Sequence, residues 1–173
     1  MPGITKRSDV APLIARGRVE PAAAFAELRE LAASPEWQTR EVAATALVEI
    51  AKRHPGVVLA EATRWAEHRD ANVRRAASEG LRGLVKRDPA AVWPVLERLR
   101  ADASAYVRKS VASVLRNASG PHPGAVFALC RHWLAEAGAD PIVRRTVADG
   151  LRKLRATHPR EVADLLDSTD PAA

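Results

Sequence analysis

The chain has 173 residues, 47% of them apolar and only 4% aromatic. This length suits one domain or one short repeat array, and an apolar content carried mainly by Ala, Leu and Val favours packed helices and excludes an all-β fold. The 27 basic and 21 acidic residues give a net charge of +6, and 22 of the basic residues are arginines. This excess points to anionic partners, nucleic acid first, unless a GC-rich genome alone produced it.

The N-terminal residues contain no apolar signal segment, and no stretch approaches the roughly 18 apolar residues of a membrane span. The single cysteine, Cys130, allows neither an internal disulfide nor a cysteine-rich zinc site. We therefore expect a cytoplasmic protein that does not contact a membrane.

Prolines recur at a nearly constant interval and predict the starts of five helices. Pro21, Pro55, Pro89 and Pro123 are each 34 residues apart, and Pro159 follows after 36. Pro suits the first turn of a helix, where its missing N–H would have no intrahelical partner. A polar residue precedes each proline and is predicted to cap the helix that follows. These capping residues are Glu20, His54, Asp88, His122 and His158.

A series of leucines about 26 residues further along each unit predicts a second helix. Leu47, Leu81, Leu115 and Leu151 are spaced by 34, 34 and 36 residues. Around Leu81, apolar and small residues recur at the 3.6-residue period of a helix, and the opposite face is polar. Each unit is therefore predicted to contain an A helix, a short turn and a B helix.

A single pair of helices cannot bury its apolar face alone, so neighbouring pairs must stack. We therefore predict an all-α fold, an α-solenoid of about four HEAT-like helical pairs with terminal caps. The predicted boundaries are 1–20 for the N-terminal cap, 21–54, 55–88, 89–122 and 123–158 for the repeats, and 159–173 for an acidic C-terminal cap. The last segment has a net charge of −3, which leaves +9 on the residues before it.

Arginines lie at the border of the buried stripe in successive B helices, and an acid precedes each of them. The arginines are Arg40, Arg74, Arg108 and Arg144, and the acids are Glu36, Asp70, Asp102 and Asp140. The acid is predicted to lie in the turn before the B helix, where it faces both the helix N-terminus and the guanidinium. Such a ladder indicates a structural role, so we do not expect these arginines to contact a ligand.

A second set of cations points away from the buried stripe in the last three units. One row holds Arg75, Lys109 and Arg145; a second row, seven residues later, holds Arg82, Arg116 and Arg152; Lys86 lies on the same face. Because B helices build the inner wall of a HEAT solenoid, these residues predict a basic concave groove that binds double-stranded DNA, with an affinity that falls steeply with salt. The alternative is an ordinary solvated helix face.

Two carboxylates lie between these rows. Glu79 follows Arg75 by four residues and Asp149 follows Arg145 by four, so each can pair with its own arginine at helical spacing. Alternatively, they stabilise a cationic transition state or orient a water. The only tyrosine, Tyr106, is predicted on the same face, where it either stacks on a base or deoxyribose or closes the turn.

A family resemblance is carried by three segments, VRRAASEGLR (73–82), YVRKSVASVLRN (106–117) and IVRRTVADGLRKL (142–154). Through them, residues 37–158 resemble the HEAT-like DNA alkylation repair family, the bacterial alkylpurine DNA glycosylases of the AlkC and AlkD type. The AlkC branch is the more similar.

This resemblance implies a concave DNA-binding surface and the metal-independent removal of N3- or N7-alkylated purines. The matching positions imply that Glu79 is the catalytic carboxylate. They also imply that Arg75, Lys109 and Arg145 face phosphates.

No metal or other cofactor is expected, because the histidines and Cys130 show no metal-ligand spacing and the chain has no glycine-rich phosphate loop. We therefore predict a DNA-binding protein related to alkylation repair and, if it is an enzyme, an alkylpurine DNA glycosylase. Two alternatives stay open. One is a protein-interaction scaffold whose basic rows face an acidic peptide, and the other is an inactive homologue that binds damaged or branched DNA.

Overall fold

The computed structural model describes residues 6–138 and 140–167, and in these ranges the chain is helical without β-strands. The α-helices, in chain order, are α1 (Ala11–Val19), α2 (Ala22–Ala32), α3 (Trp37–Ala51), α4 (Pro55–Trp65), α5 (Ala71–Glu79), α6 (Pro89–Leu99), α7 (Ala105–Ala118), α8 (Pro123–Ala137), α9 (Pro141–Gly150), α10 (Leu154–Thr157) and α11 (Pro159–Asp167). Short 3₁₀ segments cover Arg7–Val10, Leu84–Lys86 and Leu151–Lys153. Within this described part, none of the helices combines the length and the apolar character that crossing a membrane requires.

The helices form successive pairs that stack on one another. The A helices are α2, α4, α6 and α8, and the B helices are α3, α5, α7 and α9. Each B helix packs against the B helix of the next pair, α3 on α5, α5 on α7 and α7 on α9. The predicted all-α solenoid is thus confirmed. Its division into four repeats and two caps stays a prediction, and Asp170 of the acidic end lies outside the described residues.

The prolines start helices as predicted. Four helices begin at a repeat proline, the first of them α4 at Pro55, and α2 begins one residue after Pro21. The prolines of the other three are Pro89, Pro123 and Pro159. The polar residues before these prolines do not all cap the helix that follows. Only Asp88 is seen to act as predicted, because its Oδ1 accepts the N–H of Ala91 at 3.1 Å.

The capping prediction is wrong for His54 and His122, neither of which caps its own helix. Each ring instead reaches back to a backbone carbonyl earlier in the stack. Nε2 of His54 donates to the carbonyl oxygen of Arg18 at 2.8 Å, and Nε2 of His122 donates to that of Lys86 at 3.0 Å. These histidines therefore connect the start of an A helix to an earlier element, α1 for His54 and the 3₁₀ segment Leu84–Lys86 for His122. A third histidine, His158, lies with Nδ1 at 2.8 Å from the hydroxyl of Thr157.

The four leucines of the B-helix series form the centre of the stack. Leu81, Leu115 and Leu151 are completely buried, and Leu47 is 2% exposed. Because the B helices contact one another along this line, the apolar stripe predicted from the 3.6-residue period is the main core of the solenoid.

Two glycines allow adjacent B helices to approach closely. Gly80 directly follows α5, and a Cβ there would lie 2.9 Å from Cβ of Leu47 on α3. Gly150 ends α9, and a Cβ there would lie 2.5 Å from Cδ1 of Leu115 on α7. Ordinary carbon contacts are about 3.5–4.0 Å, so both positions have no room for a side chain.

We expect Gly80→Ala to lower the free energy of unfolding by about 1–3 kcal/mol, because the added methyl group must displace Leu47 in a close-packed core. Urea unfolding monitored by circular dichroism measures the change. Gly56→Ala in α4 is the matched control, since a Cβ there meets nothing within 4 Å. It should instead stabilise the helix by about 0.5–1 kcal/mol. Equal effects of the two changes would contradict the close approach of α3 and α5.

Candidate nucleic-acid interface

The outward cations of the B helices differ strongly in exposure. Lys109 on α7 and Arg145 on α9 are exposed, as are Lys86 and Arg152 at the ends of their units. Arg82 and Arg116 are half-buried. Arg75, in contrast, is only 7% exposed. The two predicted rows are therefore most accessible in the last two units, between α7 and α9.

A surface pocket of about 230 Å³ lies between α7 and α9. It is lined by Ala105, Arg108, Lys109, Arg145, Thr146 and Asp149. The pocket thus combines three cationic side chains with one carboxylate. It brings together Lys109 and Arg145, which the sequence placed at corresponding positions of neighbouring units.

Asp149 is fixed at the side of this pocket by two arginines. Its Oδ2 accepts Nε of Arg145 at 3.2 Å, the pairing at helical spacing that the sequence predicted. Its backbone carbonyl accepts Nη1 of Arg116 from α7 at 2.8 Å. The carboxylate remains 31% exposed, so a bound ligand can reach it.

Glu79 occupies a different environment. The residue is 5% exposed, and its Oε2 lies 3.1 Å from Nη1 of Arg82, three residues further along the chain. The predicted pairing with Arg75 is wrong, because Arg75 pairs elsewhere. Burial raises the pKa of the Glu79 carboxyl above its ordinary value, although the charges of Arg82 and Arg75 oppose the change. Glu79 is thus a buried carboxyl in the core of the interface, whereas Asp149 is accessible.

Arg75 links three consecutive B helices. Its guanidinium forms an ion pair with Glu41 on α3 and lies under the ring of Tyr106 on α7, with Cζ 4.5 Å from the ring centroid. Arg40 approaches the same ring at 5.6 Å. Nη1 of Arg75 is buried without a hydrogen-bond partner in the described part of the chain. A phosphate contact by Arg75 stays a prediction, and it requires Tyr106 to move aside.

The contacts of Arg75 with Glu41 and Tyr106 were not predicted from the sequence, although the sequence contains a signal for the first of them. Glu41 occupies the repeat position that holds Arg75, Lys109 and Arg145 in the following units, so a charge of opposite sign lies one unit before Arg75. Tyr106 is 36% exposed, so part of its side chain stays accessible to a ligand although two guanidiniums approach its ring.

The border arginines have the structural role that the sequence predicted. Nη1 of Arg74 donates to the carbonyl oxygens of His68 and Arg69 at 2.8 and 3.0 Å, in the turn before its own helix. Arg40 holds the preceding turn in the same way, through the carbonyl oxygens of Ser34 and Pro35 at 2.8 and 2.7 Å. These guanidiniums are therefore used in connecting A and B helices.

Two acids of this ladder, Asp70 and Asp140, cap helices, whereas Glu36 makes no side-chain cap bond and Asp102 bonds within the turn before α7. The ion pairing crosses between units. Asp70, Asp102 and Asp140 each accept the backbone N–H two residues later, at 2.7, 2.8 and 2.8 Å. Asp102 also binds Arg74 of the preceding unit through two bonds of 2.6 and 2.9 Å. The hydrogen bonds that Arg74 donates to Asp102 raise the pKa of Arg74. Burial alone would raise the pKa of the Asp102 carboxyl, but the hydrogen bonds that it accepts from Arg74 and Ser104 outweigh burial and lower this pKa.

One group of side chains has the composition of a metal site. Ligand atoms of Glu97, His132 and Glu136 lie within 4.8 Å of one another on the A helices α6 and α8. This group was not predicted from the sequence, although His132 and Glu136 have the i, i+4 spacing of one helix face. Arg100 forms ion pairs with both carboxylates. Its guanidinium supplies the positive charge that a cation would bring, so the group is an ion-pair network on the side away from the pocket.

The chain belongs to the family of HEAT-repeat proteins, whose model matches residues 25–116. Within this class its fold is that of the HEAT-like DNA alkylation repair proteins, and the resemblance stated from the sequence is confirmed. AlkC of Pseudomonas fluorescens, an alkylpurine DNA glycosylase solved bound to DNA containing an abasic site analogue, superimposes with a TM-score of 0.73 at 27% sequence identity. That match covers 89% of this chain but only 43% of AlkC, so the chain spans less than half of this relative.

Two further structures share the fold. AlkD2 of Streptococcus mutans has a TM-score of 0.69 at 24% identity, with 84% of this chain and 72% of AlkD2 covered. The structure of smu.31 from Streptococcus mutans UA159 gives the same TM-score and identity and covers 84% of this chain and 74% of its own. No curated protein matches the sequence.

Proposed function

We propose that the B-helix face of this protein binds double-stranded DNA at the pocket between α7 and α9. The observation that carries the proposal is the pocket itself, in which the exposed Lys109 and Arg145 flank a space of about 230 Å³. Two cations on the two sides of one pocket neutralise neighbouring phosphates and release their counterions. The relative that shares 27% identity is described as bound to DNA, which supports the same ligand here.

The proposed reaction is the release of cationic N3- or N7-alkylated purines. Positive charge develops on the deoxyribose as the glycosidic bond breaks, so a nearby carboxylate stabilises the transition state more than the ground state. Asp149 is the accessible carboxylate at the pocket. Glu79, to which the family resemblance assigns this role, lies behind Arg82 and reaches a substrate only if the side chains of the interface rearrange.

Release of 3-methyladenine or 7-methylguanine from methylated duplex DNA tests this reaction. We expect the wild-type protein to release base and one carboxylate variant to be about 10²–10³-fold slower, the usual effect of removing one electrostatic group from an active site. Asp149→Asn and Glu79→Gln are compared, because they keep the shape and remove the charge. The variant that slows release while duplex affinity is unchanged identifies the carboxylate.

A second candidate function is DNA binding without base release. It is favoured by the burial of Glu79 and by the ion pair and ring that occupy Arg75. Tight, salt-dependent duplex binding with no base release by the wild-type protein would select this function and reject the enzyme. Absence of duplex binding at low salt would reject both and leave the protein-interaction scaffold.

A further inference from the structure

A second basic surface lies at the C-terminal ends of the B helices, outside the pocket. We call it the basic edge, and it consists of Lys52, Arg53, Lys86, Arg87 and Lys153, all of them exposed. Lys52 directly follows α3 and pairs with Glu49 at 2.7 Å. In the part of the chain that the structure describes, the other four have no carboxylate within ion-pair distance. Their charges are therefore available to a ligand.

Contacts between units make this edge continuous. Nη2 of Arg87 reaches back to the carbonyl oxygen of Ala51 at the end of α3. The carbonyl oxygen of Lys86 accepts from His122 of the next unit at 3.0 Å. The third unit has no cation of its own here, but Nζ of Lys153 lies over Gly120, only 3.2 Å from where a Cβ would be. Positive charge thus extends along all four helix pairs.

The distance between the pocket and the basic edge is close to the distance between the two phosphate backbones of a duplex. Lys109 is nine residues from the end of α7 at Ala118, which corresponds to about 14 Å along the helix axis. The major groove of B-DNA, which separates its two phosphate backbones, is about 12 Å wide. A duplex with one backbone at Lys109 and Arg145 therefore brings its other backbone to the basic edge.

We propose that the basic edge binds the phosphates of the strand complementary to the one held at the α7–α9 pocket. This inference rests on the proposed DNA binding and specifies that both strands are contacted, on two parallel lines of charge. The edge makes the interface selective for duplex over single-stranded DNA, because a single strand reaches only one of the two lines.

The test compares the wild-type protein with the variant Arg53→Gln, Lys86→Gln, Arg87→Gln and Lys153→Gln. Lys52 is kept because it pairs with Glu49. Binding to a duplex and to a single strand of the same length is measured by fluorescence anisotropy over a series of salt concentrations. For a duplex, log K falls as log salt rises, and each phosphate contact makes this negative slope steeper by about 0.9. We expect this negative slope to become shallower by about 2–3 for the duplex, with duplex affinity lowered about 10-fold or more at low salt. Single-strand affinity should change less than about 2-fold.

The control removes the same charge from the A helices, where Arg64 and Arg98 pair with Glu61 and Glu67. Arg29, Arg64, Arg98 and Arg131 are exposed and lie one on each of the A helices α2, α4, α6 and α8. Their replacement with glutamine should leave the duplex slope within about 1 of the wild-type value, the effect of at most one contact. A loss as large as that of the edge variant would show that only net charge matters and would overturn the inference.

Three other results would also overturn it. Unchanged duplex binding by the edge variant rejects the edge while leaving the proposed function intact. An equal loss for single strand and duplex means that both lines of charge follow one strand. A lower free energy of unfolding with no change in slope means that these cations only stabilise the C-terminal ends of their helices. If the wild-type protein does not bind a duplex at all, the proposed function fails and the inference fails with it.

Discussion

Replacing Lys109 and Arg145 together by glutamate is expected to weaken duplex binding by about 100-fold or more at low salt. Each substitution removes one charge-assisted contact, worth about 1.5–3 kcal/mol, and places a like charge against phosphate. The negative slope of log K against log salt should also become shallower by about 2, because two counterion-releasing contacts are lost. Fluorescence anisotropy titrations with a labelled duplex at several salt concentrations measure both quantities.

A matched reversal in the same two units tests whether position matters. Arg98 on α6 and Arg131 on α8 are exposed on the A helices, so Arg98→Glu with Arg131→Glu changes the net charge equally but away from the pocket. We expect this control to lower affinity less than about 5-fold through long-range repulsion alone. If the two double variants bind equally, the α7–α9 pocket is not the interface. Urea unfolding of each variant excludes loss of folded protein as the cause.

The second large effect is expected from Asp102→Asn, which removes one side of the bidentate ion pair between the second and third units. Arg74 and Asp102 are 18% and 7% exposed at their side chains. Breaking a largely buried pair leaves a guanidinium without its counter-charge, and we expect the free energy of unfolding to fall by about 2–4 kcal/mol at neutral pH. Urea unfolding measures the change.

The difference between wild type and Asp102→Asn should depend on pH. The pKa of Asp102 is lowered in the folded protein, chiefly by Arg74 acting against the effect of burial. Its ionised form therefore contributes stability at pH values above the ordinary carboxyl pKa, and this contribution is lost as the pH falls through the folded-state pKa. The two proteins should become similar in acid. A constant difference from pH 7 down to pH 3 would contradict the ion-pair explanation.

Asp70→Asn is the control for this substitution. Asp70 accepts the backbone N–H of Asn72 at 2.7 Å and caps α5, whereas Asp102 accepts that of Ser104 at 2.8 Å in the turn before α7. The described part of the chain shows no ion pair between Asp70 and an arginine of the preceding unit. Because Asn caps helices about as well as Asp, this change should cost less than about 1 kcal/mol. A cost equal to that of Asp102→Asn would mean that the local backbone bond, and not the pair with Arg74, gives Asp102 its importance.

The helical part of this protein was predictable because its signals are local. A proline at a helix start excludes most other conformations of the first turn, and the spacing of Leu47, Leu81 and Leu115 repeats the period of a stacked unit. The ladder of border arginines followed from the same spacing. Its cross-unit pair, Arg74 with Asp102, did not, since the acid closest in sequence to Arg74 is Asp70 and only the packed units bring Asp102 within reach.

The interface was predictable only where a residue acts within its own helix. The pairing of Arg145 with Asp149 is an i, i+4 contact and was found from spacing alone. A helical wheel gives Arg75 and Lys109 the same outward direction, yet one is buried and the other exposed. The difference comes from the neighbours on each side, Glu41 on α3 and Tyr106 on α7, which close over Arg75.

The sequence by itself determined that the protein is an all-α stack of paired helices, which residues form its core, and which face of the last three B helices is basic. Those properties repeat every 34 residues and depend on a helix and its own period. Only the tertiary structure decided that Lys109, Arg145 and Asp149 share an accessible pocket, that Glu79 is buried, and that the helix ends form a continuous basic edge. These outcomes depend on contacts between units, where one substitution in a neighbouring helix, such as Glu41, changes the environment of a repeated position.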